Sequence, residues 1–87
     1  MEKLTAIIVD DEYRIGQLIS KLIHFQEVDV ELLKISDNSK EALEFILENH
    51  PDIVISDIQM PVIDGLELIR RIHEAQLFPH FILISGY

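Results

Sequence analysis

Apolar residues in this chain follow two kinds of pattern. Ala6-Ile7-Ile8-Val9, Ile53-Val54-Ile55 and Phe81-Ile82-Leu83-Ile84 are short unbroken runs, largely β-branched, with no polar residue alternating through them. Such runs predict strands buried on both faces, because a strand with one wet face would show a polar residue at every second position. Between these runs the apolar residues recur at helical spacing: Ile15, Leu18, Ile19, Leu22 and Ile23 in the first segment, Ala42, Leu43, Ile46 and Leu47 in the second, Leu66, Ile69 and Ile72 in the third. Each set draws one apolar stripe along a helix. Val30 to Ile35 predicts a further strand, and Glu31 and Lys34 within it mark a partly solvated edge.

The boundaries carry local chemistry. Asn38 with Glu41, and Asp64 with Glu67, have the spacing of an N-cap and a reciprocating carboxylate three residues on, so both mark helix starts. Pro51 and Pro79 precede the later strands, where a missing N–H and a fixed φ stop the helix before them. The order β-α-β-α-β-α-β demands an α/β fold, a doubly wound parallel sheet with right-handed crossovers and helices on both faces. No linker, repeat or low-complexity tract interrupts it, so residues 1–87 are expected to form one unit.

Composition narrows the function. At 87 residues the chain has room for one small domain, and seven Lys and Arg against sixteen Asp and Glu leave a net charge of −9. Phosphate neutralisation needs clustered cations, so no nucleic-acid surface is expected on this chain and any DNA contact would need another domain. The absence of Cys removes disulfides, a thiol nucleophile and Cys-based zinc sites, and fits a cytoplasmic setting. The first apolar stretch, Leu4 to Val9, meets three acids at once and is too short for a membrane span or a signal segment.

In an open parallel sheet the working site lies at the carboxyl ends of the strands, where strand order reverses. Asp10-Asp11-Glu12 follow the first strand, Ser56-Asp57 the third and Ser85-Gly86 the fourth. If the first and third strands are neighbours, Asp10, Asp11 and Asp57 converge, and three ionised carboxylates so placed need a cation or a proton. A hard divalent ion such as Mg²⁺ answers this with one or two carboxylates, several waters and room for phosphate oxygens. The bland alternative is that Asp10 or Asp11 serves only as a turn or cap residue ahead of the helix near Tyr13. His24, His50, His73 and His80 lack metal-ligand spacing and are read as exposed polar residues.

Three strings in order, Val9-Asp10-Asp11-Glu12, then Asp57 through Met60-Pro61 to Asp64-Gly65, then Ile84-Ser85-Gly86, resemble those of two-component response-regulator receiver domains, CheY-like in fold. The resemblance implies sheet order 2-1-3-4. It implies that Asp57 accepts a phosphoryl group from a sensor histidine kinase or a small phosphodonor, that Asp11 binds Mg²⁺ directly, that Asp10 acts through metal-bound water, and that the Gln59 backbone carbonyl is another ligand. Asp57 would itself contribute to the metal site. Ser85 would be the switch hydroxyl, Gly86 would leave room beside the acyl phosphate, and Gln59 and Tyr87 would tune its hydrolysis. Receivers usually have a fifth strand, ending in a Lys, and two further helices; Lys3, Lys21, Lys34 and Lys40 all lie outside the motif ends. The chain therefore reads as a receiver truncated after its fourth strand, not an enzyme in its own right, whose Ser85-Gly86-Tyr87 ending resembles transcriptional regulators with an AraC-type output.

Truncation predicts an exposed apolar edge on the fourth strand and an uncovered sheet face beside the first helix, hence self-association, by strand pairing across a two-fold axis or by exchange of elements. A haloacid-dehalogenase-like phosphohydrolase would want Asp-x-Asp after its first strand, and a histidine phosphotransfer module would be a helical bundle; neither pattern is present. The remaining alternative is a truncated receiver acting only as an assembly module without productive phosphorylation. Mg²⁺ phosphotransfer with intact mass as readout separates the two.

Overall fold

The computed structural model describes residues 3–84. Four strands, β1 (Leu4–Val9), β2 (Val30–Ser36), β3 (Ile53–Asp57) and β4 (His80–Ile84), alternate with three helices, α1 (Tyr13–Leu22), α2 (Ser39–Asn49) and α3 (Gly65–Glu74). All pairings are parallel and the sheet order is β2-β1-β3-β4, as the alternation of patterns and the family resemblance imply. The order reverses between β1 and β3, so the carboxyl ends of these two strands lie side by side, with Val9 paired to Ser56.

The two faces of the sheet are filled differently. Ile7, Val9 and Val54 meet Ala42 and Ile46 of α2, Leu68 and Ile72 of α3, and Met60 and Ile63 from the loop ahead of α3. Each fully buried Ile or Leu here contributes about 1.5–3 kcal/mol relative to an exposed one. On the opposite face α1 approaches through Gly16, where an added Cβ would stand 2.8 Å from Ile35 Cγ2 and 3.7 Å from Ile8 Cγ2. The stripe expected on α1 is only partly used: the one buried residue of the helix is Gly16, outside that stripe, while Ile15, Leu18 and Leu22 stay 39, 52 and 68 % exposed. Ile82 of β4, in register with Ile55 and so on the α1 side, is also half exposed.

Local features differ from the sequence pattern in three places. A 3₁₀ turn, Phe25–Val28, joins α1 to β2 and ends at Asp29 with φ 58°; four residues carry too little periodicity to announce it. In β2 the register slips, Ala6 pairing with Leu32 but Ile7 with Lys34, so Leu33 is an inserted residue. The slip sends Lys34 to the α2 side, with Nζ 5.8 Å from the centre of the Phe45 ring. Finally, both predicted caps form, with Asn38 Oδ1 accepting from the Glu41 N–H at 3.0 Å and Asp64 Oδ1 from the Glu67 N–H at 2.8 Å. The return bond from Glu67 does not, because its carboxylate is engaged by Arg70 and Arg71.

Candidate functional site

β1 and β3 deliver their last residues to one rim of the sheet. The Asp10 N–H donates to Ser36 O at 2.9 Å, carrying the β1–β2 ladder one bond past the strand. Its side chain is buried, and Oδ1 accepts from the Glu12 N–H at 2.9 Å. This is the turn-forming use of aspartate, and it accounts for one oxygen of Asp10. Glu12 sits at the N-cap position of α1 without a side-chain bond, so neither Asp10 nor Asp11 is the helix cap. Asp11 is exposed. Asp57 ends β3 half-buried; its Oδ1 accepts from the Gln59 N–H at 3.2 Å, and its carbonyl accepts from the buried Ser56 hydroxyl at 2.9 Å.

One carboxylate oxygen from each of Asp10, Asp11 and Asp57 lies within 4.8 Å of the others. At that separation two negative charges repel by about 1 kcal/mol in bulk water and about 3–4 kcal/mol at an effective dielectric of 20. Burial pushes the Asp10 carboxyl above its ordinary pKa; the Glu12 N–H pulls the other way, and the charges of Asp57, Asp11 and Glu12 add to the rise. An all-oxygen donor set graded from buried to exposed fits a hard cation that retains part of its water shell, which is the habit of Mg²⁺.

The loop after β3 is shaped for this rim. The Gly65 N–H donates back to Ile58 O at 2.8 Å, and a Cβ on Gly65 would lie 2.6 Å from the Asp57 carbonyl oxygen. Glycine is required here by close approach of backbone, a reason beyond the helix start that the sequence suggests. Gln59 stands exposed on this loop, two residues past Asp57. Ser85, Gly86 and Tyr87 lie outside the described residues. None of the histidines joins the acid cluster among the described residues; His73, on α3, packs its ring 5.3 and 5.5 Å from those of Phe78 and Phe81. Two residues to which the sequence reading gave no role stand near the site. Lys40 borders a groove that reaches Asp11, and Val62 holds a left-handed backbone at φ 70°.

The family model for the response regulator receiver domain matches residues 6–87. The chain belongs to the receiver family. This receiver is 38 % identical over 85 residues to protein-glutamate methylesterase/protein-glutamine glutaminase 1 of Syntrophomonas wolfei, covering 98 % of the chain and 24 % of that protein. It is 35 % identical over 81 residues to the transcriptional regulatory protein YesN of Bacillus subtilis, covering 93 % and 22 %. In three dimensions it matches the REC domain of AraT, a response regulator from Geobacillus stearothermophilus, with a TM-score of 0.89 at 33 % identity, covering all of this chain and 67 % of that one. The receiver thus spans less than a quarter of the two curated relatives, 24 and 22 % of their length. They are named for different activities, so likeness in this stretch does not choose between those activities. Among the described residues no helix is long and apolar enough to cross a membrane.

Proposed function

We propose that residues 1–87 act as the receiver unit of a two-component response regulator, in which Asp57 accepts a phosphoryl group from a sensor histidine kinase in a Mg²⁺-dependent reaction. The meeting of Asp10, Asp11 and Asp57 within 4.8 Å at the topological switch point carries this reading. Those three side chains and the Gln59 backbone carbonyl would hold Mg²⁺, whose charge offsets that of the phosphoryl oxygens. Asp57 supplies the attacking carboxylate, oriented by the Gln59 N–H on Oδ1. Ser85 is the switch hydroxyl of this reading. Phosphoryl transfer asks for positioning and charge neutralisation more than for covalent chemistry, and a strand-end carboxylate beside an acid pair supplies both.

In this reading the chain turns over no substrate of its own and signals in the cytoplasm to a transcriptional output; with a charge of −9 it touches neither DNA nor membrane itself. It self-associates through the β4 edge or the uncovered face beside α1. The exposed Ile15, Leu18 and Leu22 favour one second reading, an assembly module without productive phosphorylation. Incubation with Mg²⁺ and acetyl phosphate, followed by intact mass, decides between them. A gain of one phosphoryl that Asp57→Asn abolishes is expected; no gain, with beryllofluoride also failing to bind, would leave the assembly module.

A further inference from the structure

β4 lies at an edge of the sheet, and the hydrogen bonds at its two ends fix which of its residues point outward. The His80 N–H donates to Asp52 O at 2.9 Å, and the Ile84 carbonyl accepts from the Ile58 N–H at 3.1 Å. In a parallel ladder a residue turns its N–H and its C=O toward the same neighbour, and the next residue turns both away. His80, Ile82 and Ile84 therefore spend their main-chain groups on β3. Phe81 and Leu83 turn theirs to the open side, where no strand among the described residues receives them.

The side chains along this edge narrow what could receive those groups. No Lys, Arg, Asp or Glu occurs from Leu77 to Ile84, so a strand laid alongside meets no fixed charge. Phe81 packs against the core, whereas Ile82 is 50 % exposed on the opposite, α1 side. Pro79, just ahead of the strand, has no N–H to offer.

We propose that β4 pairs antiparallel with β4 of a second copy, across a two-fold axis at Ile82, joining the four strands of each copy into one continuous sheet. The proposal sharpens the self-association in the function proposed above and rests on it, but not on the chemistry of Asp57. A two-fold contact uses the same groups of both copies, and the outward groups of β4 are self-complementary: Phe81 of each copy exchanges N–H···O bonds with Leu83 of the other. Neighbouring registers fail. Centring the pair on Phe81 sets Leu83 against Pro79, which has no N–H, and centring it on Leu83 carries Phe81 past Ile84, where the strand ends. With the axis at Ile82, the two Ile82 residues form the closely spaced kind of antiparallel pair, Cα atoms about 4.5 Å apart, and each shields the other's exposed side chain from water. His80 falls opposite Ile84, so no like charges meet. A second copy is the occupant that answers every feature of this edge: its lack of charge, two outward residues spaced to serve each other, and an isoleucine on the axis.

The chain contains no cysteine, so Ile82→Cys places a single thiol on the proposed axis, and Leu18→Cys places one on the open face of α1. A Cα separation of about 4.5 Å lies within the range a disulfide spans, about 4.4–6.8 Å. Under mild oxidation near physiological salt, Ile82→Cys is expected to run as a disulfide-linked dimer on a non-reducing gel, at least about fivefold more than Leu18→Cys. In the unsubstituted chain, hydrogen exchange at the Phe81 and Leu83 amides should slow about tenfold or more as concentration rises through the monomer–dimer range. Leu83→Pro, which removes an outward N–H and no bond to β3, should return the chain to monomer. Preferential cross-linking of Leu18→Cys, with the Phe81 and Leu83 amides exchanging at the same rate at every concentration, overturns the strand pairing and leaves self-association to α1. A chain that sediments as monomer at every salt concentration removes self-association itself, and this proposal with it.

Discussion

Gly65 and Asp57 are eight positions apart in the chain and share one point in space. No glycine among the described residues has positive φ, so what Gly65 supplies is the missing Cβ rather than an unusual backbone angle. A methyl there would sit 2.6 Å from the Asp57 carbonyl oxygen and 3.0 Å from Ile58 Cα, both backbone atoms that no rotamer change can move aside. Alanine at the first position of α3 would gain about 1 kcal/mol of helix propensity, while forcing the two backbones apart costs about 1–3 kcal/mol. The clash is expected to win. Gly65→Ala should lower the urea midpoint, and because the struck atom belongs to Asp57, it should also weaken the Mg²⁺ binding proposed for the acid cluster. A variant with both quantities unchanged would show that the loop opens without moving Asp57.

At the level of the helix, α3 couples its cap to an ion-pair ladder. Asp64 holds the Glu67 N–H, Glu67 binds both Arg70 and Arg71, and Arg70 reaches on to Glu74 at 2.9 Å. Hydrogen bonds from Arg70 and then Arg71 draw the Glu67 carboxyl down from 4.5 to about 2. The folded value lies below the unfolded one, so this contribution is fully present above pH 4.5 and is lost as pH falls through about 2. Glu67→Gln should therefore lower the thermal midpoint modestly at neutral pH, with the difference from the unsubstituted chain closing between pH 4.5 and about 2 when followed by circular dichroism. Asp64 and Asn38 were legible as caps because three-residue spacing is local, and the strands were legible because unbroken Ile and Val runs suit only buried positions. The acid cluster followed once those strands were ordered. Lys40 and Val62 were not legible as neighbours of one groove, since the first turn of α2 and the loop ahead of α3 meet only through the fold, and neither spacing nor composition records that meeting. The inserted Leu33 was hidden for a related reason, as a register slip is a property of the β1–β2 pair.

For the molecule as a whole, the two sheet edges are built differently. The β2 edge carries Glu31 and Lys34, charges that discourage a further strand from pairing. The β4 edge reads His-Phe-Ile-Leu-Ile, carries no fixed charge, and exposes Ile82 by half. On the same side of the sheet α1 leaves Ile15, Leu18 and Leu22 open to solvent. Against this apolar attraction stands a net charge of −9, which makes two copies repel. Repulsion of this kind reaches about 30 Å at 0.01 M salt and about 8 Å at 0.15 M, whereas contact between apolar side chains is not weakened by screening. Self-association should therefore strengthen as salt rises, the reverse of an assembly held by ion pairs. Sedimentation velocity of the chain is expected to show monomer at low ionic strength and dimer near physiological salt, and Ile82→Lys, which puts a charge on the bare edge as Lys34 does on the other, should keep the chain monomeric at both. A monodisperse monomer at both ionic strengths would mean that the β4 edge and the open face of α1 do not draw copies together, and dimers that dissolve on adding salt would locate the contact among charged residues instead.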